Sequence, residues 1–239
     1  MENKETYKKA FNLLKKAIEN YGLLSENEKF IVGVSGGKDS LCLVHLLNEY
    51  NKKEYKNWDF ICVYVKPDFI KFDTERLTKF FKKYKIKYEI LEANILKKIE
   101  NSKKSPCFFC SRERKKSLFN FAEKLNINKI VLAHHLEDVN ETFLLNLFFN
   151  SEISTFLPKQ DFFNGKFYIV RPMYYFTNSL IKNYNKIFKI KPIKNPCPYI
   201  KKNRREEIRK FLEKYYKMDE RIRENIFKGI KNIKEKYLP

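Results

Sequence analysis

Residues 30–40, Phe30-Ile31-Val32-Gly33-Val34-Ser35-Gly36-Gly37-Lys38-Asp39-Ser40, leave this chain few choices of fold. The apolar run Phe30 to Val34 reads as a buried strand. Ser35-Gly36-Gly37 turns the chain, and from Lys38 onward Leu41, Val44 and Leu47 recur at helical spacing. A strand, a tight glycine turn and a helix in that order aim backbone N–H groups outward at a helix N-terminus, where the dipole favours an anion. Glycine lets a phosphate approach the backbone with no Cβ in the way. Lys38 adds a full positive charge and Ser40 a hydroxyl. The stretch is not a Walker A loop: three residues, not four, separate Gly33 from Gly37, and Asp39 follows Lys38. A carboxylate beside a phosphate cradle makes sense where Mg²⁺ lies between them.

The rest of the chain alternates. Residues 4–24 carry Tyr7, Phe11, Leu14, Ile18 and Tyr21 at helical spacing, and Gly22 is a stop signal. Residues 59–65 read as a second strand, 73–84 as a helix, 87–91 as a third strand and 129–133 as a further one, with a helix opening at Glu137 or Asp138. Strands alternating with helices imply βαβ units and a parallel sheet with helices on both faces, an α/β fold. In such a sheet the strand ends near Val65 and near His134-His135 lie on the same edge as the glycine turn. Acidic side chains there can hold Mg²⁺, and a histidine there can contact phosphate or steer a proton; packing of both histidines under the helix is the plainer alternative.

Five cysteines, an odd number, behind a charged N-terminus argue against a disulfide framework. No apolar run approaches the ~20 residues a membrane span needs. The expectation is a reducing, cytoplasmic setting without a membrane. Cys42 and Cys62 fall inside apolar elements and read as core. Cys107 and Cys110 form a C-x-x-C pair that opens a helix, and Cys197 stands in a Pro-flanked, non-helical stretch, Asn195-Pro196-Cys197-Pro198. Three cysteines make an incomplete tetrahedral zinc site and a good [4Fe–4S] site with one iron open to an outside ligand such as sulfide. A three-cysteine zinc site with water and a redox disulfide are the alternatives.

Lys and Arg number 50 against 29 acidic residues, a net charge of +21, which points to a polyanionic partner, nucleic acid first. A lysine-biased composition, suggested by the many Asn and Ile, accounts for part of the excess. From about Lys201 the chain reads as helical to its end and strongly basic, with Arg204, Arg205, Arg209, Lys210, Lys214, Arg221, Arg223, Lys228 and Lys231. It is either an RNA-binding appendage or a solvated helical lid.

Ser35 to Ser40 resembles the signature of the PP-loop ATP pyrophosphatases. The order of that loop, Cys107/Cys110, His134-His135-Leu136-Glu137-Asp138 with Glu141-Thr142, Val170-Arg171-Pro172-Met173 and Cys197 resembles the tRNA 2-thiocytidine synthetases over roughly residues 28–205. The resemblance implies an adenine-nucleotide α-hydrolase fold in three parts: an N-terminal helix (1–27), an ATP- and cluster-binding domain (28–200) and a basic helical segment (201–239). It implies ATP-dependent thiolation of a tRNA cytidine, with Asp39, Lys38 and Asp138 catalytic and Ser35, Gly36, Gly37, Lys38, Ser40, Val65 and His134 around ATP. Asp39 and Asp138 would hold Mg²⁺, and Cys107, Cys110 and Cys197 a [4Fe–4S] cluster. Arg112, Arg114, Arg171, Arg204 and Arg205 would contact RNA or the adenylate. A cysteine desulfurase or free sulfide would supply sulfur, and a homodimer is the family's expectation. Two positions and one segment depart from the family pattern: Glu137 stands for an Asp, Ile200 for a second late cysteine, and residues 204–209 are basic rather than Gln- and Asn-rich. Thiolation of a tRNA uridine, lysidine-type ligation and a non-catalytic metal-bound RNA-binding module are the competing readings.

Overall fold

The computed structural model describes residues 2–54, 56–97, 105–199 and 204–237. Its strands in chain order are β1 (Lys29–Val34), β2 (Asp59–Pro67), β3 (Lys87–Ala93), β4 (Lys129–Val131), β5 (Lys159–Phe162) and β6 (Phe167–Val170). The helices are α1 (Glu2–Tyr21), α2 (Lys38–Lys53), α3 (Thr74–Lys83), α4 (Pro106–Lys124), α5 (Leu136–Asn150), α6 (Asn178–Ile187), α7 (Arg204–Met218) and α8 (Arg221–Gly229), followed by one 3₁₀ turn, Glu235–Tyr237. The sheet runs β3-β2-β1-β4-β6-β5. All neighbours are parallel except β5, which folds back antiparallel on β6. The chain lays β2 and β3 on one side of β1 and β4 on the other. That reversal opens a crevice at the C-terminal ends of β1 and β4, where ligands of such sheets bind.

Side chains alternate along β1 because the strand period is two. Phe30, Val32 and Val34 enter the larger core with Leu14, Leu43, Leu47, Phe81 and Tyr184. Ile31 enters the core on the other face with Val63, Leu118, Phe119 and Ile169, under α4. Each such large apolar side chain contributes about 1.5–3 kcal/mol on burial. A third, small cluster of Leu144, Ile208, Leu212 and Tyr216 fastens α7 to α5. Cys42 and Cys62 are fully buried, and burial pushes both thiols up.

The expected unbroken C-terminal helix is corrected. The Asp219 carboxylate accepts the Arg221 N–H at 2.9 Å, ending α7 and starting α8. The helix start near Lys201 and the departure at Ile200 lie outside the described residues. Among the described residues no helix is long and apolar enough to cross a membrane.

His45 on α2 is 3% exposed, and its Nδ1 lies 2.9 Å from the Tyr184 hydroxyl. Burial holds its pKa down at about 4. The unfolded chain takes up this proton near pH 6.5 and the folded chain only near 4, so His45 subtracts stability as pH falls through that window. The loss is about 3 kcal/mol, complete near pH 4. Urea unfolding measured from pH 7.5 to 4 is expected to show this slope in the wild type and a flatter one in His45→Gln.

Candidate active site

The glycine turn is held from behind. Gly36 has a φ of +76°, and a Cβ there would fall inside the envelope of the Phe72 ring. The Gly36 carbonyl accepts the Ile193 N–H at 2.9 Å, and the Lys38 carbonyl accepts from Asn185 Nδ2 at 2.9 Å. Ser35 and Ser40 face each other with their hydroxyls 3.2 Å apart. Gly37 caps α2 without a side-chain bond, so the first turn of the helix is open to an anion. Ser35, Asp39 and Ser40 line a cavity of about 620 Å³; Gly36, Gly37 and Lys38, between them in the chain, are not among its lining residues. That volume lies in the ordinary range for small-molecule sites, ~300–1,000 Å³. Val65 lines the same cavity from the end of β2.

The N-terminus of α5 supplies the opposite edge of the crevice. His134 and Asp138 line the cavity. Arg171 Nε donates to His134 Nδ1 at 3.2 Å, which leaves the ring proton on Nε2. Burial holds His134 neutral well below its ordinary pKa, and the Arg171 and Arg205 charges add to that. His135 is buried under it, with Nε2 3.5 Å from Asp39 Oδ1 and 3.6 Å from Asp138 Oδ2, and Nδ1 3.1 Å from Glu137 Oε2. Burial opposes its charge, but Asp138, Glu137 and Asp39 together raise its pKa. Against the cost of burial, the neighbouring His135 holds the carboxyls of Glu137 and Asp138 low.

Asp39 and Asp138 thus flank one imidazole nitrogen in one cavity. Two oxygen donors in that arrangement fit Mg²⁺ bound through one or two carboxylates plus phosphate and water. Glu137 does not join them. Its Oε1 accepts the Asn178 N–H at 2.9 Å and lies 3.0 Å from Arg223 Nε, beneath His135 and away from the cavity.

The arginines divide. Arg112 and Arg204 are exposed, and the Arg204 guanidinium covers the Phe149 ring at 4.4 Å. Arg114 lines the cavity beside Cys110. Arg171 lines the cavity but is 4% exposed, and burial lowers its pKa to about 10. Its fork is taken up by His134, the Leu157 carbonyl and Gln160. Arg205 borders the cavity and spans Glu141 (2.9 Å) and Asp138 (3.2 Å). Arg209 and Arg223 are likewise engaged, by Glu141 and Glu137. Glu141 with Arg205 and Arg209, and Glu137 with Arg223, form a layer of ion pairs between α5 and the C-terminal helices that the sequence reading did not foresee. Its one signal was the Glu137/Glu141 spacing on one helix face, opposite arginines spaced Arg205/Arg209.

Cys107 and Cys110 on the first turn of α4 and Cys197 in its loop line the same cavity and are half-buried. Burial pushes the Cys107 and Cys110 thiols up, Arg114 opposes the rise at Cys110, and the neighbouring Cys197 adds to it at both. Among the described residues no three Cys, His, Asp or Glu side chains are drawn together around a single-ion centre. A cluster binds each thiolate to a different iron and so takes a wider set than one ion. Three sulfur donors on one cavity wall fit that demand.

A phosphate turn at the switch point of a parallel sheet, with one carboxylate beside it and another across the crevice, is a nucleotide-activating site. The PP-loop domain profile matches residues 4–215, and the chain belongs to the PP-loop family. It is 31% identical over 223 residues to the tRNA-cytidine(32) 2-sulfurtransferase of Alcanivorax borkumensis, covering 91% of this chain and 78% of that relative. The tRNA-cytidine(32) 2-sulfurtransferase 1 of Francisella tularensis subsp. tularensis is also 31% identical over 222 residues, 91% of this chain and 83% of the relative. Within the PP-loop enzymes, then, its branch is that of the ATP-dependent tRNA sulfurtransferases. Among solved structures, the U34-tRNA thiolase from Methanococcus maripaludis with its [4Fe–4S] cluster shares the fold, with a TM-score of 0.83 at 24% identity over 99% of this chain and 81% of that one.

Proposed function

We propose that the chain adenylates the C2 carbonyl oxygen of a tRNA cytidine in the anticodon loop and replaces that oxygen with sulfur. One observation carries this reading: the phosphate turn, two carboxylates and the thiols of Cys107, Cys110 and Cys197 open into the same cavity. An adenylating ligase without sulfur chemistry has no use for three thiols there, and a pure RNA binder has none for Asp39. The names of the relatives at 31% identity support cytidine as the base.

The N-terminus of α2 and the Ser35 and Ser40 hydroxyls receive the leaving pyrophosphate, and Lys38 turns from Asp39 to neutralise it. Asp39 and Asp138 hold Mg²⁺, which when bound stabilises charge developing on the phosphates. His134, with its proton on Nε2, donates a hydrogen bond into the cavity toward the α-phosphate. The C2 oxygen attacks the α-phosphorus, pyrophosphate leaves, and C2 then carries AMP as a good leaving group. Cys107, Cys110 and Cys197 hold a [4Fe–4S] cluster, which when bound supplies an iron without a protein ligand where sulfide can be presented. Sulfur replaces the activated oxygen, AMP departs, and no net redox change is needed. Arg112 and Arg204, exposed on α4 and α7, contact tRNA phosphates, and Arg114 meets the nucleotide inside the cavity. A base from the anticodon loop reaches the site at small unstacking cost. The sulfur comes from a cysteine desulfurase or free sulfide, and reduced thiols suit the cytoplasm.

The test is iron and acid-labile sulfide after strictly anaerobic purification. About four of each per chain in the wild type, lost in Cys197→Ala, is the expected result. Mass spectrometry of tRNA nucleosides from cells with and without the protein is then expected to show loss of 2-thiocytidine. Zinc in place of iron would overturn the cluster, and a missing thiouridine would overturn the choice of base.

A further inference from the structure

Both carboxylates facing the phosphate turn already carry a cation from the chain. Lys38 Nζ lies 2.5 Å from Asp39 Oδ1, and Arg205 Nη2 lies 3.2 Å from Asp138 Oδ1. Lys38 belongs to the turn itself. Arg205 arrives from the first turn of α7, 67 positions along the chain from Asp138. Its other bond is separate: Nε donates to Glu141 Oε2 at 2.9 Å. Glu141 is 3% exposed, and Arg209 holds its second oxygen at 2.8 Å, so this anchor is fixed. The Arg205 side chain is 37% exposed and borders the cavity, so its outer nitrogen has room to turn.

We propose that Arg205 is a positioning residue of the adenylation site. It pairs with Asp138 Oδ1 while no metal is bound, and it carries its outer nitrogen from that oxygen to the phosphates of the nucleotide when a divalent cation takes the carboxylate. The inference rests on Asp39 and Asp138 as the Mg²⁺ ligands of the proposed function. Asp138 has an 18% exposed side chain, and its two oxygens are shared out: Oδ2 accepts the His135 N–H at 3.0 Å, and Oδ1 is left to Arg205. A divalent ion beside an unmoved guanidinium would set two cations against each other in a partly desolvated site. The incoming polyphosphate offers the replacement anion, and a guanidinium fork matches phosphate oxygens. The Glu141 bond lets this happen with α7 in place. The basic C-terminal helix is thereby coupled to the nucleotide, and the coupling is reciprocal.

The test compares two affinities that a merely structural role would move together. Mn²⁺ alone, read by electron paramagnetic resonance, reports the carboxylates. Mg²⁺ with α,β-methylene-ATP, read by calorimetry, reports the loaded site. Arg205→Gln is expected to bind Mn²⁺ about tenfold more tightly and the nucleotide analogue about tenfold more weakly, the effect of one charge-assisted contact exchanged for another. Arg205→Lys is expected to keep wild-type Mn²⁺ affinity and recover part of the nucleotide affinity. Leu212→Ala, which loosens α7 without touching a carboxylate, is expected not to split the two affinities. Affinities that fall together in Arg205→Gln, or that do not change, overturn the proposal, as does the same split in Leu212→Ala. Wild-type protein that binds neither probe would remove the nucleotide-site reading beneath it.

Discussion

Replacing Asp39 by Asn is expected to slow ATP–pyrophosphate exchange in the presence of tRNA by about a hundred- to a thousandfold, the scale of losing one preorganised electrostatic group at a phosphoryl centre. The swap preserves shape and removes charge. Asp39 sits on the first turn of α2, faces the cavity, and is one of two carboxylates flanking His135 Nε2. Its side chain is 31% exposed, and its Lys38 partner is equally open, so the lost pair costs stability no more than about 1 kcal/mol. A large kinetic loss with an almost unchanged unfolding curve is therefore the signature. Exchange that stays within about threefold of wild type would show that Asp39 does not support the chemistry.

Gly36→Ala is the second large effect, and it falls first on the fold. A positive φ costs an L-residue about 1–2 kcal/mol. The new Cβ also meets Phe72, which is buried against Tyr64 with ring centroids 4.5 Å apart and cannot withdraw freely. Overpacking of that kind costs about 1–3 kcal/mol more. The sum, about 2–5 kcal/mol, is to be read from urea unfolding. Gly36→Ala with Phe72→Leu is expected to recover the overpacking share and leave the backbone share. The single variant is also expected to lose nucleotide binding, because the Gly36 carbonyl fixes the turn to Ile193. Wild-type stability in Gly36→Ala would mean the turn relaxes more readily than its contacts imply.

The parallel sheet was legible because β1 and β2 are long apolar runs and each is followed by a helix with clear spacing. The hairpin of β5 and β6 was not. Lys159-Gln160-Asp161-Phe162 has no strand-like composition, and only pairing with β6 makes it one. The break between α7 and α8 was equally hidden, since Met218-Asp219-Glu220 contains neither Gly nor Pro and stops the helix through one aspartate bond. At the site, Asp39, Asp138, Val65 and His134 could be placed on one edge because strand ends and helix starts fix where a residue lies; the cysteines could be grouped by chemistry but not placed. Which arginines are free could not be read that way. Arg171 and Arg205 look in sequence like Arg204, and only the packing of α5 against α7 and of β6 against the Leu157 loop separates buried partners from exposed ones. Glu137 shows the same limit: in sequence it is only a departure from the family's Asp, and in the fold its carboxylate accepts the Asn178 N–H beneath His135.

The cavity takes its oxygen donors from the β1–α2 turn and the start of α5, and its sulfur donors from the start of α4 and the Cys197 loop. Hard and soft ligands are thus segregated by secondary-structure element within a single chamber. An ion that favours oxygen and a centre that favours sulfur meet different walls and do not compete for the same atoms. Two inorganic chemistries can work on one base without either displacing the other, and the sorting is done by where the backbone leaves each strand.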